Sequence, residues 1–215
     1  MAVSPGVPRA LVAAVVALLA AVALTDLLAV YAEARTYALT EGDGGFAFAP
    51  MDVLDPADAL SRKVGVLHDM AFSLCAVVFV AWFHRIRRCA GAFAPNGFTS
   101  GPGWAIGAWL VPLANLWRPF RIAVEMWTAC VRPPEGSGEP VKVSFWPVNL
   151  WWGLFVLTGL ANLYTGRLHD RAENLVELKD ALFQVMLADA VDVVAAAAAI
   201  HFVVRLSAGL RRRAA

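Results

Sequence analysis

The chain has 215 residues, of which 60% are hydrophobic and 16% charged, with a mean hydropathy of +0.62. Soluble domains carry about 45–50% apolar and about 25% charged residues, so this composition excludes a freely soluble domain and points to a membrane. A net charge of +1, from 18 Lys and Arg against 17 Asp and Glu, gives no basic surplus for nucleic-acid binding.

Apolar runs long enough to cross a hydrocarbon core of ~30 Å lie at residues 10–31, 64–83, 145–164 and 182–206. They predict an all-α polytopic membrane protein with four transmembrane helices in a single membrane domain. Pro8 suits the start of the first helix. Ala32-Glu33-Ala34 has the pattern of a signal-peptidase site, but the apolar run before it is longer than the ~7–15 residues of a signal peptide, so a retained helix is expected. Residues 33–62, with Gly42, Gly44, Gly45 and Pro50, read as an external acidic loop. Asp55-Pro56 at its end predicts a helix start, with Asp as the cap and Pro at the first helical position.

The second span runs into the basic cluster Arg85, Arg87 and Arg88, and Pro95-Asn96-Gly97 supplies a turn. The stretch 101–131 follows, apolar but broken by Pro112 and Pro119. Then come a loop at 132–138, an aromatic helix opening with Trp146, Trp151 and Trp152 placed as an interfacial belt, and a charged connector at 166–180. The last helix ends in Arg211, Arg212 and Arg213.

Charge decides how the stretch 101–131 is threaded, because cytoplasmic loops carry the Lys and Arg excess. If residues 103–117 enter and return on one face, the cytoplasmic side holds 12 cations against 6 outside. If they span, the count is 7 against 11, the wrong sign. About 15 residues also reach only ~22 Å as a helix, and Pro112 removes a backbone donor in their middle. The expectation is a re-entrant or interfacial element between helices 2 and 3, followed by a helix over 119–131. Both termini are then cytoplasmic, in a plasma-membrane protein.

Candidate chemistry concentrates in acids within the spans. Asp26, Asp69 beside His68, and the pair Asp189 and Asp192 at i, i+3 fall in one layer of the predicted bilayer, with Asn162 near them. Ionisable residues at such depth face a bundle interior, a cavity or an ion path, and Asp and His suit a proton, a small cation or a divalent metal. The competing reading is that the helices protrude and these acids sit in water. His201 reads as an interior histidine. Three cysteines, Cys75, Cys89 and Cys130, have no zinc or disulfide spacing, and no nucleotide or nucleophile motif occurs. No cofactor is expected.

The motifs Gly103-Trp104-Ala105-Ile106-Gly107, Val111-Pro112, Asn115-Leu116-Trp117-Arg118-Pro119 and Trp146-Pro147-Val148-Asn149-Leu150-Trp151-Trp152 resemble an actinobacterial membrane family known as domain of unknown function 4328. The likeness covers roughly residues 60–210 and implies a four-helix integral membrane protein, with no activity attached. Cys89 departs from it, at a position where the family favours Asn. Trp104, Trp109, Pro112, Asn115, Trp117, Arg118 and Pro119 are the candidate contact surface, toward lipid, a membrane-protein partner or a second copy. The function expected first is a non-enzymatic accessory, sensor or scaffolding module; a small cation or proton transporter comes second, and a membrane metalloenzyme last.

Overall fold

The structure, a computed structural model, describes residues 6–41, 51–131, 143–171 and 175–214. The described residues form helices and the turns between them: α1 (Arg9–Glu41), α2 (Met51–Phe93), α3 (Trp104–Leu110), a 3₁₀ turn (Ala114–Leu116), α4 (Arg118–Val131), α5 (Trp146–Arg171) and α6 (Leu175–Ala214). Three helices are long and apolar enough to cross a membrane, over Arg9–Ala38, Asp55–Phe93 and Lys179–Ala214. The expected span at 145–164 lies in α5, whose 26 residues are long enough. Its tryptophans with Asn149 and Asn162 dilute the apolar run, so α5 is not among the three.

Two boundaries differ from the sequence reading. Residues 33–41 and 51–62, expected as loop, continue α1 and begin α2. Ala, Leu and Glu there are good helix formers, and nothing in Glu33–Glu41 breaks the ladder. Pro56 therefore sits inside α2 at its sixth residue rather than at its start, where it removes one ladder bond near the helix end. The glycine turn at 42–50 and the loop at 132–138 fall outside the described residues.

The chain divides into two compact units, and α1, α2, α5 and α6 contribute a segment to each. One unit comprises residues 1–18, 74–153 and 198–215. Its centre is aromatic. Trp151 stacks on Phe202 with centroids 4.3 Å apart and planes 5° off parallel. Trp82 meets the same Phe202 edge-on and hydrogen-bonds from its indole nitrogen to the Ser207 hydroxyl at 3.2 Å. Trp127 of α4 also stacks on Phe202 and donates to the Ser144 carbonyl at 3.0 Å, so the Trp82 and Trp127 indole N–H groups are both satisfied. Trp151, expected at an interface, is thus a core residue, whereas Trp146 is exposed beside His201.

Within this unit the stretch 101–131 doubles back. Val111 has φ −92° and ψ 112°, the extended conformation that a following proline imposes, and it ends α3. The 3₁₀ turn reverses the chain into α4. Arg118 then lies over the Trp104 ring at 3.7 Å, so the starts of α4 and α3 meet in a cation–π clasp. A continuous spanning helix would hold those residues about 20 Å apart. Trp109 points inward, edge-on to Phe79 and Phe83 at 5.7 Å each and beside Trp151 and Trp152. α4 buries Ile122, Ala123, Met126 and Trp127 against protein.

The other unit comprises residues 19–73 and 154–197, that is, the facing segments of α1, α2, α5 and α6. Large aromatic stacks do not define it. Its buried positions are mostly small or polar, including Ala32, Ala57, Val64, Thr158, Thr165, Ala188 and Asp26, with Leu182 the large exception. Small residues let the helices approach closely.

Candidate functional site

The second unit holds the side chains singled out for chemistry. On α1, Asp26 is 1% exposed, and its Oδ1 lies 2.8 Å from Nδ1 of His68 on α2. Thr25, next to it, donates its hydroxyl to the Val22 carbonyl at 2.7 Å and stands 3.3 Å from the same imidazole nitrogen. That nitrogen faces a carboxylate, so the arrangement favours its bearing the proton and donating to Asp26. Phe72, one turn along α2, stacks on the ring with centroids 6.0 Å apart and holds its plane. The second oxygen of Asp26 is buried without a hydrogen-bond partner. A buried carboxyl with one satisfied oxygen is costly.

Helix α6 brings two more acids. Asp189 and Asp192 sit three residues apart on one face and both feel the Asp26 charge. Asn162 of α5 donates from Nδ2 to Oδ2 of Asp192 at 3.1 Å, and the Thr158 hydroxyl is within hydrogen-bonding reach of the same carboxyl. Asp189 in turn meets Glu33 of α1, carboxyl to carboxyl, within hydrogen-bonding reach. Two carboxyls at that distance need a proton or a cation between them. One oxygen of Glu33 is likewise buried and unpartnered.

Asp26 and His68 are in contact, Asn162 meets Asp192, and Asp189 and Asp192 lie within electrostatic reach of Asp26. Asp69 does not belong: its side chain is exposed, and it reaches the group only through its charge on His68. A residue one position from His68 on a helix points about 100° away, so the two cannot share a face. Glu33 is the member that was missed. It lies seven residues from Asp26, two turns along the same face, in a part of the chain whose acidic residues read as loop. Among the described residues no three His, Cys, Asp or Glu side chains are placed so as to hold a metal ion.

The contact-surface residues divide. Trp109 is half-buried in the aromatic centre, Pro119 is buried, and Asn115 is half-buried with its Oδ1 unpartnered. Trp104 and Arg118 clasp each other, leaving Pro112 and Trp117 outward with Leu110, Leu113 and Leu116.

The fold and this site define a class: a chain whose described residues are helical, with three helices of membrane-crossing length and a polar cluster to which four of its helices contribute. Within that class the chain belongs to the family described as a domain of unknown function, DUF4328, whose model matches residues 48–208. No curated protein and no solved structure matches the chain.

The ion pair should be energetically coupled. Removing one partner of a buried pair leaves an uncompensated group, whereas removing both does not add the costs. Asp26→Leu and His68→Leu should each lower the melting temperature in detergent, and the double variant should recover a coupling energy of about 1–3 kcal/mol. Strictly additive losses would show that the contact carries no energy.

Proposed function

We propose that the chain is a multi-pass membrane protein that takes up and releases protons at the Asp26–His68 cluster, in the manner of a small proton-coupled transporter or sensor. The observation that carries this reading is Asp26 itself, 1% exposed, paired to an imidazole and one oxygen short of partners. Histidine titrates near neutral pH, and intramembrane carboxyls partnered by histidine are the usual parts of proton relays. The titratable groups around Asp26 are His68 and, through it, Asp69 from α2, Asp189 and Asp192 from α6, and Glu33 from α1. A proton entering the group has a chain of carboxyls to move along, from Glu33 and Asp189 to Asp26 and His68.

The proposed topology has four spans, with α5 as the third, the hairpin 101–131 returning to the cytoplasmic face, and both termini cytoplasmic. The Trp104–Arg118 clasp supports it, because a stretch whose ends touch begins and finishes on one side. An accessory or scaffolding role is the second reading, favoured by the outward apolar face of the hairpin, where Leu110 is 76% and Leu113 71% exposed. Lipid, a membrane partner or a second copy would cover that face.

Single cysteines at the exposed positions Asn96 and Arg121 test the topology. The native Cys75, Cys89 and Cys130 are buried, and burial pushes the Cys130 thiol up to about 12, so it stays unreactive at neutral pH. Asn96→Cys and Arg121→Cys should be labelled from the same side by an impermeant maleimide, and labelling from opposite sides would refute the hairpin.

Proton movement is tested in liposomes carrying an internal pH dye and an imposed membrane potential. The wild-type protein should acidify the lumen, and Asp26→Asn should fall to the rate of empty liposomes. Equal rates for the two proteins would remove Asp26 from the mechanism.

A further inference from the structure

The first unit contains a second polar feature, independent of the acidic cluster. Near the end of α2, Arg87 is 6% exposed, yet no carboxylate among the described residues lies within ion-pair distance of it; Glu125 acts on it only through longer-range attraction. Its guanidinium is instead held by neutral groups. The Phe98 ring lies under it at 3.5 Å, and its Nη2 donates to the Ser100 carbonyl at 2.7 Å. Its Nε is buried with no partner. Gly91, one turn on, makes the room: a Cβ there would come within 2.7 Å of Nη1.

Two further contacts set the loop that carries Phe98 and Ser100. Glu125 of α4 accepts from both the Thr99 hydroxyl, at 2.6 Å, and the Thr99 backbone N–H, at 3.2 Å. His84 stands 3.1 Å from the Pro102 carbonyl. The fixed loop and the end of α2 border an open cavity of about 540 Å³, lined by Arg87, Arg88, Gly91, Phe98, Ser100 and Gly101, among others. Its volume lies within the range of small-molecule sites. Arg88 adds a second, exposed cation to its wall.

A buried guanidinium without a counter-ion is expensive, because burial removes hydration that a neutral carbonyl and a ring face replace only in part. An anion in the cavity would supply the missing charge. The planar guanidinium fork suits oxygen anions and phosphates above all. The lining holds no aspartate or glutamate to repel one.

We infer that the Arg87–Arg88 cavity binds a phosphate group carried on a small alcohol, with Arg87 as its buried anchor and Arg88 as its outer clamp. Two sources offer that chemistry: the headgroup of an anionic phospholipid, and a soluble phosphate ester. The inference does not rest on the proton-exchange reading, since it concerns different residues in the other unit.

The test uses the delipidated full-length protein in a non-ionic detergent, with binding read by native mass spectrometry. The probes are a short-chain phosphatidylglycerol and glycerol phosphate. At least one should bind. Arg87→Gln should weaken it about tenfold, the loss of one charge-assisted hydrogen bond, and Arg88→Gln by a smaller factor. Arg88 is on the surface, so its variant keeps the test open if Arg87→Gln fails to fold. Arg205→Gln, an exposed cation outside the cavity, should leave binding unchanged. Binding of phosphatidylglycerol alone would identify a lipid headgroup as the ligand, and binding of both probes a soluble ester. The proposal falls if neither probe binds, or if Arg88→Gln and Arg205→Gln weaken binding equally. Proton movement in liposomes is unaffected by either of these outcomes, so the two readings fail separately.

Discussion

A carboxyl group removed from water has to be matched, and in the unit formed by residues 19–73 and 154–197 the matching of Asp26 fixes how four helices face one another. His68 supplies a ring nitrogen 2.8 Å from its carboxyl, from α2. Asp189 and Asp192 approach from α6, and Asn162 reaches Asp192 from α5. Each polar contact reaches across to another helix, so the register of α1, α2, α5 and α6 in this unit is set by a few hydrogen bonds rather than by large side chains. Small residues such as Ala32 and Ala188 allow that approach. The group is not fully satisfied. Asp26 and Glu33 each keep a buried oxygen without a partner, a costly state for a site with only a structural role and a useful one for a site that exchanges protons.

The unit formed by residues 1–18, 74–153 and 198–215 obeys a different rule. Its helices are positioned by aromatic volume, with Phe202 between Trp151, Trp82 and Trp127. Trp109 anchors the hairpin into that centre, and the Trp104–Arg118 clasp closes it. Pro112 has a specific part in this. By forcing Val111 into an extended conformation it stops α3 after seven residues, and the chain can return. Replacing that bend by continuous helix would carry Trp117 and Arg118 away from Trp104.

Much of this was legible in the sequence because it depends on composition and local geometry. Apolar runs and basic ends located the long helices. The break at Val111 followed from Pro112, and the α4 helix from its spacing. The parts that were hidden depend on where helices end and which way they turn. Glu33 was assigned to a loop because acidic residues followed the apolar run, yet Ala and Leu carry α1 on to Glu41. Asp69 was grouped with His68 by adjacency, although neighbours on a helix point apart. The sequence placed Trp151 at an interface; only the tertiary packing puts it in the core against Phe202. The Asp26–His68 pair joins residues 42 positions apart in the chain, and no local pattern encodes it.

If the polar cluster exchanges protons, the state of its carboxyls must change with pH in the intact protein. Infrared difference spectroscopy on protein reconstituted in lipid, comparing acidic with neutral buffer, reads this directly. A protonated-carboxyl stretch should appear on acidification in the wild-type protein and be lost or displaced in Asp26→Asn. Identical difference spectra for the two proteins would contradict proton exchange at this site.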